Sequence, residues 1–289
     1  MEVVHTISDV RDQIRKARKA GKLIGFVPTM GFLHEGHLSL VEISKKKSDF
    51  QVMSIFVNKM QFNDPNDFES YPKDLERDIK LAEENGVDLI FIPDDREMYQ
   101  ERLTYIDVES ITQNLCGGKR PGHFRGVFTV VSKLFNIVDP DVSVFGQKDI
   151  QQAASIEKMV FDLNFPIEIV IAPIIREKDG LAMSSRNKHL TEDERLRALV
   201  LSKSLERAEA LLKEGNRGSK QIIDEVIEVI KDGNPDKIDY VSLVKYSDLS
   251  SALSVDQKSV LAVAVFFGST RLIDNMIIDF DNKEINCIY

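Results

Sequence analysis

The sequence predicts an α/β fold: a doubly wound parallel sheet followed by a second, smaller α+β domain. Three observations carry that expectation. Short apolar runs alternate with stretches of helical periodicity over residues 1–175, the pattern of parallel strands joined by crossover helices. Glycine turns stand at two strand ends, where such sheets bind their ligands. Near Ile174 to Arg176 the pattern changes to long helices followed by strands, so the expected division is 1–175 and 176–289. A length of 289 residues suits one large or two ordinary domains.

Taken in order, residues 8–20 read as a helix with Ser8 as its cap, Val10, Ile14 and Ala17 on one apolar face, and Gly21 ending it. Leu23 to Val27 is a strand. A helix marked by Leu38, Leu40, Val41 and Ile43 follows, then a strand from Phe50 to Val57. A polar loop runs from Asn58 through Asp64, Pro65, Asn66 and Asp67. Leu75, Ile79 and Ala82 mark a helix closed by Gly86, and residues 87–92 form the next strand. A helix is expected from Val127 to Ile137, with Val130, Val131, Leu134 and Phe135 at core spacing. Asp141 to Phe145 and Ile167 to Ala172 are strands, with a helix from Ile150 between them. Thr191 and Glu194 form a capping box that opens a long helix carrying Leu196, Leu199, Val200, Leu205, Leu211 and Leu212 inward. A helix over 219–231 and strands over 238–244 and 260–267 complete the smaller domain.

The candidate site is organised around Val27-Pro28-Thr29-Met30-Gly31-Phe32-Leu33-His34-Glu35-Gly36-His37. A strand-to-helix turn presents N–H groups without intrahelical partners at the positive end of the helix dipole, so it suits an anion. His34 and His37 are three apart and fall on nearly one face if the first helical turn includes both. Two imidazoles there fit a phosphate better than a metal, because no third ligand lies nearby in sequence. Two of only five histidines fall in this turn, which favours function over a structural role.

Asn58 and Gln61 leave the next strand on the same rim, where an amide can donate and accept at once and so suits a hydroxy acid. Taken alone they are ordinary loop amides. Gly117-Gly118-Lys119-Arg120-Pro121-Gly122-His123-Phe124-Arg125-Gly126 holds four glycines and four potential cations, and as a surface loop it would need no explanation. Gly146-Gln147-Lys148-Asp149 is a second glycine turn at a strand end, with a cation at the helix start that can meet a phosphate. Ser184, Ser185 and Arg186 form a fork of donors for phosphate oxygens, although a solvated loop would look the same.

Composition excludes several functions. Hydrophobic residues at 43% and charged residues at 29% are those of a globular chain without disordered tails. A net charge of −9 and a pI near 5.2 argue against nucleic acid or an anionic membrane as the main partner. Cys116 and Cys287 make neither a metal spacing nor a disulfide framework, and no apolar leader or membrane-length stretch is visible, so a cytoplasmic protein is expected.

The turn Pro-Thr-Met-Gly-x-Leu-His-Glu-Gly-His resembles the His-x-Gly-His motif of the nucleotidylyltransferase superfamily, and specifically the pantoate–β-alanine ligase family. Further segments resemble the same family: Gln61-Phe62 after a strand, Arg-Pro-Gly-His-Phe-x-Gly-Val, Phe-Gly-x-Lys-Asp-x-Gln-Gln, Asp-Gly-Leu-Ala-Met-Ser-Ser-Arg-Asn and Thr-Arg-Leu-Ile-Asp-Asn, ending at Asn275. The chain departs from the family pattern at Lys59, usually Pro, and at Gln147, usually Glu.

The resemblance implies a Rossmann-like first domain that binds ATP and pantoate, and a C-terminal domain that closes over the nucleotide. It implies ATP-dependent condensation of (R)-pantoate with β-alanine to pantothenate through pantoyl adenylate, with release of AMP and diphosphate, in a homodimer. Met30 to His37 (Met30, Gly31, Phe32, Leu33, His34, Glu35, Gly36, His37), Gly146 to Asp149, Ile175 and Met183 to Arg186 are then expected to frame ATP. Gln61, Gln152 and Asn58 are expected at pantoate and Gln61 also at β-alanine. His37, His34, Lys148 and Arg186 carry the catalysis, His37 as proton donor. Mg²⁺ is expected on the ATP phosphates and no metal on the protein itself.

Two alternatives share parts of this pattern. Another nucleotidylyltransferase acting on a phosphorylated substrate would keep the His-x-Gly-His turn without needing Gln61 and Gln152. A non-catalytic nucleotide-binding module would keep the glycine turns and dispense with the cations.

Overall fold

The computed structural model of the chain describes residues 1–63, 65–281 and 284–289; Asp64 of the expected polar loop lies outside the described residues. Two compact units divide the chain. One comprises Met1–Thr112, Cys116–Gly146 and Ser155–Ala172, the other Gln113–Leu115, Gln147–Ala154 and Pro173–Tyr289. Residues 147–154 thus belong to the second unit, whereas a single cut at 175 assigns them to the first.

The first unit runs β1 (Glu2–Val4), α1 (Ile7–Lys19), β2 (Ile24–Thr29), α2 (Glu35–Lys45), β3 (Phe50–Ile55), α3 (Pro65–Glu69), α4 (Leu75–Glu84), β4 (Leu89–Phe91), α5 (Asp95–Met98), α6 (His123–Val138) and β5 (Val142–Gly146), and after α7 (Ile150–Asp162) ends with β6 (Glu168–Ala172). Its six strands are parallel, in the order β1-β4-β3-β2-β5-β6. The chain winds outward from β2 through β3 and β4, then returns to the other side for β5 and β6. The winding reverses between β2 and β5, and this switch point is where doubly wound sheets bind ligands. β2 pairs with β3 at all six positions from Ile24 to Thr29. With β5 its ladder, among the described residues, covers only Gly25/Val142 and Phe26/Ser143, so the pairing stops short of the carboxyl ends of the two central strands.

Burial explains the strand composition. Ile24, Phe26, Val27, Val52, Met53, Leu89, Ile90, Val142 and Val144 are each 4% exposed or less, because helices cover both faces of a parallel sheet. On one face Phe26 meets the Phe135 ring of α6 edge-on, with centroids 6.4 Å apart.

Several local expectations are corrected. The cap of α1 is Thr6, whose extended backbone lets its hydroxyl accept from Asp9 N at 3.2 Å; Ser8 lies inside the helix. α6 begins at His123, four residues before the expected start. Leu75 is 42% exposed, and Asp78 of the same helix is buried instead. Part of the expected polar loop is helical, as α3. The strand β1 carries too few residues to show a period.

The second unit adds α8 (Glu192–Ala198), α9 (Val200–Lys213), α10 (Ser219–Asp232), β7 (Lys237–Lys245), β8 (Ser259–Phe267), β9 (Thr270–Asp281) and β10 (Glu284–Ile288). The strands form an antiparallel sheet in the order β10-β9-β8-β7. Of these, β9 and β10 lie beyond the expected strands. The Thr191/Glu194 capping box is present, but the long helix breaks at Leu199 and turns Leu196 outward, 69% exposed. Leu205 and Leu212 of α9, Ile222, Val226 and Ile230 of α10, and Leu261, Val263 and Val265 of β8 make the core. Burying each large aliphatic side chain contributes about 1.5–3 kcal/mol.

Candidate active site

The His turn leaves β2 through Thr29, whose hydroxyl donates to Ser54 O at 2.8 Å and accepts from Gly31 N at 3.1 Å. The backbone is then left-handed at two successive residues, Gly31 with φ +82° and Phe32 with φ +51°. That conformation is unfavourable for a residue with a Cβ. Asp78 of α4 offsets the cost: its carboxylate oxygens accept from Phe32 N and Leu33 N, both at 2.7 Å. Arg77 donates to Leu33 O at 2.9 Å and lies over the Phe32 ring, 5.7 Å from its centroid. Asp78 is 1% exposed. Burial pushes its carboxyl above the usual range, while the two N–H bonds and Arg77 pull the other way.

His34 is the N-cap of α2 rather than part of its first turn, and His37 is the third helical residue. The ring centroids lie 4.1 Å apart. His34 Nδ1 accepts from Gly36 N at 3.2 Å, and His37 Nδ1 accepts from His34 N at 3.3 Å. A reciprocal capping box made of two imidazoles results. Because both Nδ1 atoms accept, each neutral ring carries its proton on Nε2. The turn therefore places both ring N–H groups at the positive end of α2.

Beyond β3, Asn58 and Gln61 are 1% and 8% exposed. The Asn58 amide donates to Gln61 Oε1 and Gly126 O, both at 3.1 Å, and its oxygen accepts from Met60 N at 3.3 Å and Tyr99 OH at 2.9 Å. All of its donors and acceptors are engaged within the protein, so it orients Gln61. Gln61 is left with Nε2 against Met30 Sδ at 2.9 Å, and a thioether is a weak acceptor. The main chain of Gln61 is held too, with its carbonyl accepting from His123 Nδ1 at 2.6 Å. At Gly126 of α6 a Cβ would come within 2.6 Å of Met60 O and 2.8 Å of Gln61 N. The glycine is what lets α6 approach this loop.

In the second unit, Gln147–Asp149 form a 3-10 turn running into α7. Lys148 is 20% exposed, and its ammonium lies 3.4 Å from the Asp149 carboxylate. The Gln147 side chain is turned inward at 1% exposure, donating to Ile288 O at 2.7 Å and to Asn275 Oδ1 at 3.4 Å. Asn275 Nδ2 in turn donates to the carbonyls of Gln147 and Lys148 at 3.0 and 3.1 Å. Of the two glutamines in α7, Gln151 is buried and donates to Asn114 O at 2.7 Å, whereas Gln152 is half-buried.

Ser184 caps the 3-10 turn Ser185–His189, its hydroxyl accepting from Arg186 N at 3.3 Å, and Arg186 is exposed. Met183 N donates to Ile175 O at 2.9 Å, which ties the start of this loop to the preceding segment. Arg176 makes a two-pronged ion pair with Asp274, at 2.7 and 3.1 Å, and donates to Gly180 O at 3.1 Å. Adjacent strand residues point to opposite faces. Asp274 thereby steadies one loop and Asn275 the other.

Sequence reasoning missed Asp78, Tyr99, Arg176, Asp274 and the structural roles of His123 and Asn275. One available signal was two neighbouring polar residues, Asp274-Asn275, in an otherwise apolar strand from Leu272 to Ile278.

The fold and these turns define a nucleotide-binding α/β enzyme with a His-x-Gly-His turn at its switch point. The model of the Pantoate-beta-alanine ligase family matches residues 2–277, and the chain belongs to that family. A pantothenate synthetase from Thermoanaerobacter sp. (strain X514) is 56% identical over 278 residues, covering 96% of this chain and 98% of that protein. The crystal structure of pantothenate synthetase from Thermus thermophilus superposes with a TM-score of 0.89 at 40% identity, covering 95% of this chain and 98% of its own. The pantoate-beta-alanine ligase of Francisella tularensis, complexed with beta-gamma ATP and beta-alanine, gives a TM-score of 0.75 at 32% identity, covering 96% of this chain and 97% of its own. No helix among the described residues is long and apolar enough to cross a membrane.

Proposed function

We propose that the chain carries out its family's reaction, ATP-dependent condensation of (R)-pantoate with β-alanine to pantothenate, with residues in the following roles. The observation that carries this reading is the imidazole pair, with ring centroids 4.1 Å apart, at the N-terminus of α2 and the switch point of the sheet. A carboxylate acylates an amine only after its oxygen has been converted into a better leaving group. Pantoate therefore first attacks the α-phosphorus of ATP, forming pantoyl adenylate and releasing diphosphate, and the amine of β-alanine then displaces AMP.

In the first step negative charge grows on the α-phosphate oxygens and the departing diphosphate, so positioning and electrostatic stabilisation supply the catalysis. His37 donates through Nε2–H, with His34 beside it. Lys148, Ser184, Ser185 and Arg186 supply the remaining donors, while the main chain of Met30 to His37 and Gly146 to Asp149, with Ile175 and Met183, frames ATP. Gln61 donates Nε2–H to pantoate, since exchanging a thioether for a carboxylate or hydroxyl oxygen improves its hydrogen bond. Its position also serves β-alanine. Gln152 is the second amide for pantoate, and Asn58 orients Gln61.

We infer that a Mg²⁺ ion is held by the ATP phosphates and water, where it would supply charge neutralisation when bound. We also infer a homodimer, supported by Phe161 and Leu163, 75% and 50% exposed next to the edge strand β6. Cytoplasmic residence is supported by Cys116 and Cys287, which are not joined in a disulfide.

The test is release of diphosphate and AMP from ATP and pantoate, with and without β-alanine. Diphosphate release that needs pantoate, and AMP release into solution that needs β-alanine, is the expected result. AMP transfer to a phosphorylated acceptor in place of pantoate would overturn it.

A further inference from the structure

We propose that β10 is a strap that sets the position of both phosphate-side loops of the second unit, acting through Gln147 and through the backbone at Ile174. This inference rests on the assignment of Lys148 and the Met183–Arg186 loop to ATP, and it adds a positioning element outside residues 2–277, where the family match lies.

Three contacts carry it. β10 is an edge strand held to β9 from Glu284/Asp281 to Ile288/Ile277, which leaves its far side available for other partners. At Ile288 the carbonyl takes the amide of Gln147, the residue immediately before Lys148, at 2.7 Å. At Tyr289 the main-chain oxygen takes Ile174 N at 3.0 Å, and the next residue, Ile175, accepts from Met183 N. The end of this strand and the residue after it thus reach both the Lys148 turn and the root of the Met183–Arg186 loop.

The strand is itself anchored at its end. The Tyr289 hydroxyl donates to Glu209 at 2.5 Å, and Arg176 lies 5.7 Å from the Tyr289 ring centroid. The Gln147 amide completes the link, because the position needs a donor for Ile288 O and an ionised carboxylate has none. Gln147 is a positioning residue in this scheme: its side chain acts on Lys148 through the main chain and touches no substrate.

The test uses the full chain with Gln147→Glu and Gln147→Met, and Tyr289→Phe as a variant that loosens the strap without touching the turn. Amide hydrogen exchange without ligand is followed at 285–289 and 147–149. The two half-reactions are measured separately, diphosphate exchange into ATP with pantoate, and pantothenate formation from supplied pantoyl adenylate. Exchange in both segments should quicken by up to about tenfold, the effect of losing one hydrogen bond in a locally opening strand. The KM for ATP should rise several-fold in the first half-reaction, and the second should stay near the parent.

Unchanged exchange at 285–289 in the Gln147 variants overturns the strap, whatever the kinetics. Quickened exchange with parental kinetics overturns its positioning role. Should the Gln147 variants fail to fold, Tyr289→Phe decides alone: quickened exchange at 147–149 with a raised ATP KM supports the strap, and parental values overturn it. Loss of the Lys148 assignment itself would show separately, as full turnover in Lys148→Ala with the exchange coupling intact.

Discussion

The carboxylate of Asp78 accepts the backbone N–H of Phe32 at 2.7 Å and holds that residue in a left-handed conformation, φ +51°. Forty-six positions separate the two residues. The His turn takes its shape from α4 as much as from its own glycines.

Asp78→Asn keeps the volume but puts an NH₂ group where one of the two backbone donors now finds an oxygen. Leaving a buried N–H unsatisfied costs about 1–3 kcal/mol, so urea denaturation should show a loss of that order. A turn released from its left-handed conformation should also bind ATP more weakly. An unchanged denaturation midpoint would contradict the role given to Asp78.

His37→Ala should slow pantoyl adenylate formation on the order of 10²–10³-fold while changing ATP affinity little, because a donor aimed at developing charge acts mainly in the transition state. Single-turnover formation of the adenylate is the measurement. Equal rates in mutant and parent would refute the assignment.

Gly126→Ala should raise the KM for pantoate and cost about 1–3 kcal/mol of stability, as overpacking does. The added methyl would meet the main chain of Met60 and Gln61, which cannot swing away as a flexible side chain would. Gln61→Ala and Gln152→Ala should raise the same constant and leave ATP binding nearly intact. A pantoate KM indifferent to all three would place the hydroxy acid elsewhere.

Lys148→Ala should show its defect in the first half-reaction, because diphosphate has already left when the second begins. Pantoyl adenylate supplied to the mutant with β-alanine should give pantothenate at a rate closer to the parent's than the overall reaction does. A mere pairing with the 56% exposed Asp149 would instead appear as a stability change of at most about 1 kcal/mol. Full overall turnover would sink the phosphate role.

Burial pushes the Cys287 thiol from 9.0 up to about 11. In a Cys116→Ser background, alkylation at pH 8 should run about a hundredfold slower than for a thiol that titrates at 9.0, and should climb until pH is near 11. The linked stability has a definite sign. The unfolded chain loses this proton first, so the contribution is complete below pH 9 and is lost as pH rises through 11. The parent should therefore lose stability relative to Cys287→Ala over that window. A thiol that reacts at pH 8 as an exposed cysteine would show that the strand does not cover it.

The sequence by itself determined the alternation of strands and helices, the parallel sheet and the turns at Gly31 and Gly146. Hydrophobic period and glycine placement are local properties, written within a few residues of where they act. It also placed the two imidazoles together, because three residues at the start of a helix span about one turn. What it could not show were relations spanning many residues: Asp78 under the His turn, His123 on the carbonyl of Gln61, and Asp274 with Asn275 steadying two separate loops. A polar side chain in an apolar helix or strand has no local signature of its partner, which the tertiary structure alone decides. Leu75 and Asp78 traded expected burial for this reason. Two N–H groups of the His turn await an acceptor at Asp78, and once paired they make a buried carboxylate tolerable where an isolated one would be costly.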